Sequence, residues 1–238
     1  GDPPRTGQRE AFLLTVLIWL ALPAVAAEPL MASGMSFTDA SFESISGLTT
    51  TGSTVLTGLD DKPEGILLWR AILQWIGGIG IIVTAIAILP ALRVGGMQLF
   101  QIESSDMSGK FLPRVAEIAT QTGLVYLSLT GLCAALYVAN DMEAFDAIAH
   151  AMTTMAAGGY STKDASFAAF SNGAESTAIL FMILAGLPFA SFVLMVRGRP
   201  LALWRDPQPR VFIGILLAAI IALLFYAGTP QGTAVFED

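Results

Sequence analysis

Five apolar runs, each close to the length of a bilayer crossing, constrain this chain more than any other feature. They cover Ala11 to Ala27, Gly65 to Leu92, Val115 to Ala139, Thr177 to Val196 and Val211 to Ala227. A hydrocarbon core of roughly 30 Å takes about 20 mostly apolar residues per helix. The first run is short and must draw on its flanks. Charged residues make up 13% of the chain, against about 25% in an ordinary soluble domain, and the mean hydropathy is +0.67. An all-α integral membrane protein is therefore expected. Cys133 and His150 are each the sole residue of their kind. An internal disulfide, a cysteine metal cluster and a histidine-rich site are thus out of reach. The net charge of −7, with no basic stripe, gives no footprint for nucleic acid. No HExxH, GxSxG, Walker or GxGxxG pattern occurs in a fitting context, so neither an enzyme nor an organic cofactor is expected.

Basic residues orient the spans. Arg5 and Arg9 precede the first; Arg93, Lys110 and Arg114 lie between the second and third; Arg197, Arg199, Arg205 and Arg210 lie between the fourth and fifth. The positive-inside rule then makes the N-terminus cytoplasmic and puts segments 28–64 and 140–176 outside. These outer segments are acidic, which either raises the local cation concentration at a pore mouth or merely solvates a loop surface. The N-terminal run, ending in Ala24-Val25-Ala26-Ala27, also fits a signal peptide.

The two outer segments repeat one another. FTDASFESISGLTTTGSTVLTG starts at Phe37, and MEAFDAIAHAMTTMAAGGYSTKDAS starts at Met142. Each begins with an acidic, capping-competent stretch, continues as a short helical pattern (about 38–48 and 143–155) and ends in Thr, Gly and Ser. Aligning Gly52 with Gly159 gives an offset of 107 residues, which also lays the first span on the third and the second on the fourth. The repeat favours a retained first span over a cleaved one. The short helices cannot cross a membrane and read as re-entrant. Non-helical backbone at membrane depth is tolerated where it is buried or lines a water-filled path. Rings of carbonyl and hydroxyl oxygens can replace the hydration shell of an alkali cation. One such strand would pass as a polar turn; two, each after a half-helix and between spans, point to a selectivity filter.

The stretches SFESISGLTTTGSTVLTG, LLWRAILQWIGGIGIIVTAIAILPALRVGGMQLF and FDAIAHAMTTMAAGGYSTKDAS resemble the TrkH/KtrB-type potassium-uptake transporters of bacteria, the TrkH branch most closely. The resemblance implies span–pore loop–span units around one central ion path, each giving one filter strand. It implies potassium as the transported ion, a place in the bacterial inner membrane, a homodimer in the full-length protein and a cytosolic nucleotide-binding regulatory subunit as partner. By matching positions, the first filter strand is Thr50, Thr51, Gly52 and Ser53, and the second is Ala157, Gly158, Gly159 and Tyr160. Backbone carbonyls of Thr51, Gly52, Gly158 and Gly159 would coordinate the ion. Ala157 stands where the family often has threonine, so one hydroxyl ligand is missing. The expected units are 1–100, 101–200 and a partial third, 201–238. The chain starts at Gly1 and carries two filter strands, so a fragment or a truncated gene product is expected. The alternative is a non-conducting scaffold, or a half-transporter needing a second chain.

Other residues carry plainer expectations. Gly77, Gly78 and Gly80 permit close helix packing or a hinge. Trp69 and Trp75 suit an interfacial belt and its protein contacts. Arg70, one turn into the second span, is expected to reach the outer interface or to pair with an acid such as Glu64. His150 suits packing or one hydrogen bond rather than pH sensing. Pro90 fits a helix end, Pro188 a kink, Gly95 and Gly96 a turn, and Cys133 a small buried apolar residue.

Overall fold

The computed structural model describes residues 8–92 and 111–227, and these form helices and connecting loops without a sheet. Arg5, Arg93, Gly95, Gly96 and Lys110 lie outside the described residues. The chain divides into two compact units, the first ending at Ala185 and the second starting at Gly186.

The first unit opens with α1 (Gln8–Ala26) and the short α2 (Glu28–Ala32). Together they supply the 20-residue apolar stretch Leu13–Ala32, so the short first run does borrow its C-terminal flank. Helix α3 (Phe37–Leu48) follows. Its N-terminus is closed reciprocally: the Ser36 hydroxyl accepts from the Asp39 N–H at 3.1 Å and donates to the Asp39 carboxylate at 2.8 Å. A loop then leads to α4 (Glu64–Leu92), whose helical path continues through Pro90 rather than ending there.

The second repeat has the same order: α5 (Phe111–Ala139), α6 (Ala144–Met155) and α7 (Asn172–Ala185). Its half-helix departs from the expected capping, because Glu143 at the N-cap makes no side-chain cap bond. Both half-helices pack against α4, which is their shared wall.

Close approach explains the glycines of α4. A Cβ at Gly77 would run into the backbone carbonyl of Leu48, at the end of α3. One at Gly78 would meet the Tyr126 hydroxyl at 2.7 Å and Ala156 at 3.1 Å, while one at Gly80 finds only the Trp19 ring at 4.0 Å. Packing is thus the role of the first two. The tryptophans stitch spans together. Trp69 Nε1 donates to the Ala26 carbonyl (3.0 Å) and Trp75 Nε1 to Thr130 Oγ1 (3.0 Å), while the Tyr126 hydroxyl returns a bond to the Trp75 carbonyl (3.2 Å). Cys133 is buried, as its apolar setting suggests.

The second unit contains α8 (Phe189–Val196), the single turn α9 (Ala202–Arg205) and α10 (Pro207–Ala227). The fourth predicted span is not one helix. α7 stops at Ala185, and Pro188 is extended at the N-cap of α8, with ψ 115. Proline lacks the N–H that would continue the ladder and disfavours helix in the residue before it, so the expected kink is a full break. At the start of α10, the Asp206 carboxylate accepts from the Gln208 N–H at 2.9 Å, with Pro207 at the first helical position. Among the described residues, four stretches are long and apolar enough to cross a membrane, and α7 with α8 makes a fifth if taken as one broken span.

Candidate functional site

Each half-helix ends in the same chemical device. At α3 the Thr50 N–H donates to the Gly47 carbonyl and the Thr51 N–H to the Ser46 carbonyl, both at 2.9 Å. At α6 the Ala157 N–H donates to Thr154 and the Gly158 N–H to Thr153, both at 3.0 Å. These are paired Schellman bonds, which need a left-handed residue just past the helix. Thr50 (φ 57) and Ala157 (φ 50) occupy that position although neither is glycine. Two residues on, Gly52 (φ 78) and Gly159 (φ 85) are left-handed again, and upstream Gly34 (φ 97) matches Asp141 (φ 65). All three pairs are 107 residues apart, so the repeat read from sequence is present in the backbone itself. A left-handed non-glycine residue costs of order 1–3 kcal/mol and persists only where its surroundings enforce it.

The two stretches expected as filter strands lie side by side. A Cβ on Gly52 would collide with the Gly158 carbonyl oxygen, which places Gly158 against the first strand. Thr51, Ser53, Ala157 and Gly159 are exposed; Thr50 and Gly52 are half-buried; Gly158 and Tyr160 are buried. Among the described residues, no hydrogen bond takes the carbonyl of Thr50, Thr51, Gly52, Ala157, Gly158 or Gly159 as its acceptor. The fourth position differs. The Ser53 carbonyl accepts from the Ser46 hydroxyl (2.6 Å) and the Tyr160 hydroxyl (3.4 Å), and the Tyr160 side chain turns back into the protein. Both strands start at helix C-termini, where the backbone dipoles leave about half a negative charge. Carbonyls not claimed by hydrogen bonds beside such ends suit a cation.

A family described as TrkH, cation transport protein, matches residues 4–228. The chain belongs to the TrkH family. It is 45% identical over 233 residues to the Trk system potassium uptake protein TrkI of Halomonas elongata, covering 96% of this chain and 47% of that protein. With the Trk system potassium uptake protein TrkH of Escherichia coli K12 it shares 47% over 221 residues, 90% of this chain and 46% of that one. The crystal structure of the potassium transporter TrkH from Vibrio parahaemolyticus superimposes with a TM-score of 0.79 at 39% identity. That match covers 96% of this chain and 48% of the other. The chain thus spans about half the length of these TrkH-family relatives and is, like them, a multi-pass membrane protein.

Behind the strands lies a polar layer that reading the sequence missed. Arg70 does pair with an acid of the first outer segment, but that acid is Glu43 rather than Glu64, and the pair lies inside the protein rather than at an interface. Arg70 is buried, and its Nε donates to the buried Glu43 carboxylate at 3.0 Å. The correction has a simple cause: α3 packs on α4 and brings Glu43 level with Arg70, so the guanidinium is neutralised inside the protein. The other Glu43 oxygen accepts from the Thr54 hydroxyl and the Val55 N–H, both at 2.6 Å. One turn further along α4, Gln74 Oε1 accepts from the Tyr160 N–H at 3.2 Å. His150 occupies the position of the repeat that matches Glu43. Its Nδ1 lies 2.8 Å from the Asp146 carbonyl and its Nε2 2.9 Å from the Ser161 hydroxyl. A carbonyl only accepts, so Nδ1 carries the proton and Nε2 accepts from Ser161. Burial holds this imidazole below its ordinary value. The available signal was the pattern Arg70-x-x-x-Gln74 inside an apolar span, two polar residues on one helix face.

Proposed function

We propose that this chain supplies part of a potassium path across the bacterial inner membrane. Thr50, Thr51, Gly52 and Ser53 form one filter strand, and Ala157, Gly158, Gly159 and Tyr160 a second. The observation that carries this reading is the pair of adjacent strands whose carbonyls at Thr51, Gly52, Gly158 and Gly159 accept no hydrogen bond from the described residues. Weak coordination at several such oxygens lets an ion shed water without being trapped. Potassium is cargo here, not a resident cofactor. The Ser53 carbonyl, already held by Ser46, contributes less than its neighbours. Similarity to the potassium uptake proteins named above supports the choice of ion.

Further parts of the reading follow from charge placement and family likeness. The N-terminus faces the cytoplasm, and the half-helices enter from outside. Residues 1–100 and 101–200 are successive span–pore loop–span units, and 201–238 opens a third. The transporting assembly is a homodimer contacted from the cytosol by a nucleotide-binding regulatory subunit, with lipid around it.

The test is rubidium uptake, and its inhibition by sodium, in the assembled transporter expressed in cells lacking their own potassium uptake. Gly52→Ala and Gly159→Ala are expected to alter the rubidium-to-sodium ratio. If both leave the ratio untouched, the filter assignment is wrong and a non-conducting scaffold becomes the better reading.

A further inference from the structure

We propose that Arg70, held by Glu43, is a positioning residue that fixes the spacing of the two filter strands and thereby the discrimination between potassium and sodium. This rests on the filter reading above. The three guanidinium nitrogens each serve a different element. Nε bonds Glu43 on the first half-helix at 3.0 Å; Nη2 donates to Thr54 Oγ1 after the first strand at 2.9 Å; Nη1 donates to the Ser161 carbonyl after the second strand at 3.3 Å. The guanidinium carbon also sits 4.1 Å from the centre of the Tyr160 ring, and the Tyr160 hydroxyl donates to the Glu43 carbonyl at 2.8 Å. One side chain of α4 therefore ties both strands to one half-helix.

Stability alone does not account for such a pair. Both charges are essentially sealed, at 1% and 0% exposure, and a well-packed apolar pair of similar size commonly serves stability as well or better. What an apolar pair lacks is direction: a planar fork with fixed donor angles meets three acceptors at once. Glu43 also cancels the field that a lone guanidinium would impose on a passing cation. Selectivity depends on how far apart carbonyl oxygens stand or on the field they exert, and either changes when one strand shifts against the other. Gln74, next on the same face, extends the brace. Its Oε1 holds the Tyr160 N–H, its buried Nε2 has no hydrogen-bond partner among the described residues, and a Cβ at Gly158 would meet its carboxamide at 2.5 Å.

The test uses the assembled transporter in uptake-deficient cells. It reads the amount in the membrane, the rubidium uptake, and the sodium concentration that halves that uptake. Arg70→Lys keeps the charge but donates from a single nitrogen and lacks the planar fork that reaches three separated acceptors. Thr54→Val removes one hydroxyl at nearly constant shape and leaves the ion pair in place. Both are expected to lower the rubidium-to-sodium ratio about five-fold, the ratio that one hydrogen bond of ordinary worth carries. Gly159→Ala is measured beside them. If it changes the ratio while Arg70→Lys and Thr54→Val do not, the brace is refuted and the filter reading stands. If none of the three changes it, the brace falls, and the filter reading falls with it when Gly52→Ala also leaves the ratio unchanged. Uptake that declines only in step with protein amount, at constant ratio, also overturns the proposal. Should Arg70→Lys fail to accumulate, Thr54→Val decides alone: a lowered ratio supports the brace, and an unchanged ratio refutes it.

Discussion

Gly52, Gly158 and Gly159 look alike in the sequence, yet the structure gives each a different reason to be glycine. Position 52 combines a positive φ with the Gly158 carbonyl in the way. Position 158 has no unusual φ, but a Cβ there would press on the Gln74 carboxamide. Position 159 has φ +85 and open space around it. Alanine at 159 is therefore expected to cost only the backbone term, about 1–2 kcal/mol, and to leave a protein that accumulates normally. Alanine at 52 adds a clash with backbone that cannot swing aside, so its loss should exceed that at 159. Thermal melting of the detergent-purified variants ranks them. His150 makes a second prediction. Its folded pKa is depressed from the ordinary 6.5 by burial. The unfolded chain then binds the proton more readily, so the contribution of the neutral imidazole is complete above that value. It fades as the pH falls through and below it. Melting temperature should thus drop between pH 7.5 and 5, and His150→Gln should flatten part of that drop.

At the scale of elements, α4 acts as a wall whose small residues let two half-helices come close. Gly77→Ala pushes a methyl into the Leu48 carbonyl, and overpacking of this kind costs about 1–3 kcal/mol. Gly131, in α5, has nothing within 4 Å of its would-be Cβ, and alanine there should gain up to about 1 kcal/mol through helix propensity. Melting curves of these two variants should move in opposite directions; a shared direction would show that close approach is not what glycine provides. Much of this layer was legible beforehand. The half-helices were expected at about 38–48 and 143–155, and they form at Phe37–Leu48 and Ala144–Met155. A short apolar pattern between polar ends is a local property, and the offset of 107 doubled the signal. Other features were not legible. Glu64 stands nearer Arg70 in the chain than Glu43 does, and helical periodicity says nothing of which half-helix will lie against α4. The second half-helix starts on a capping-competent acidic stretch, yet Glu143 makes no cap bond, since acidic residues near a helix start permit a cap without making one. Pro188 announced a disturbance, but whether a proline bends or breaks a helix depends on what its neighbours can satisfy.

For the whole molecule, sidedness is the property most directly open to experiment. Cys133 is fully buried, so the native chain should resist a membrane-impermeant maleimide. A cysteine introduced at the exposed Ala168 should label in intact cells, because that segment is assigned to the outside. One at Arg199, exposed in the second unit and assigned to the cytoplasm, should label only after the cells are opened. Equal labelling at both sites would reverse or abolish the orientation drawn from basic residues. Such residues report topology through their cost of translocation rather than through any contact, so they give an expectation of orientation but none of tertiary pairing.

The matched dihedrals of the two repeats, set beside the mismatch of Glu43 with His150, carry one more consequence. The contour of the hairpin is shared but the chemistry at this matched position is not: one copy has an anion locked to a buried cation of α4, the other an imidazole bonded within its own hairpin. Grafting one hairpin in place of the other would preserve the path of the main chain and still strand a guanidinium without its counter-charge. The two hairpins are alike in outline and unlike in anchoring, so they are not interchangeable parts.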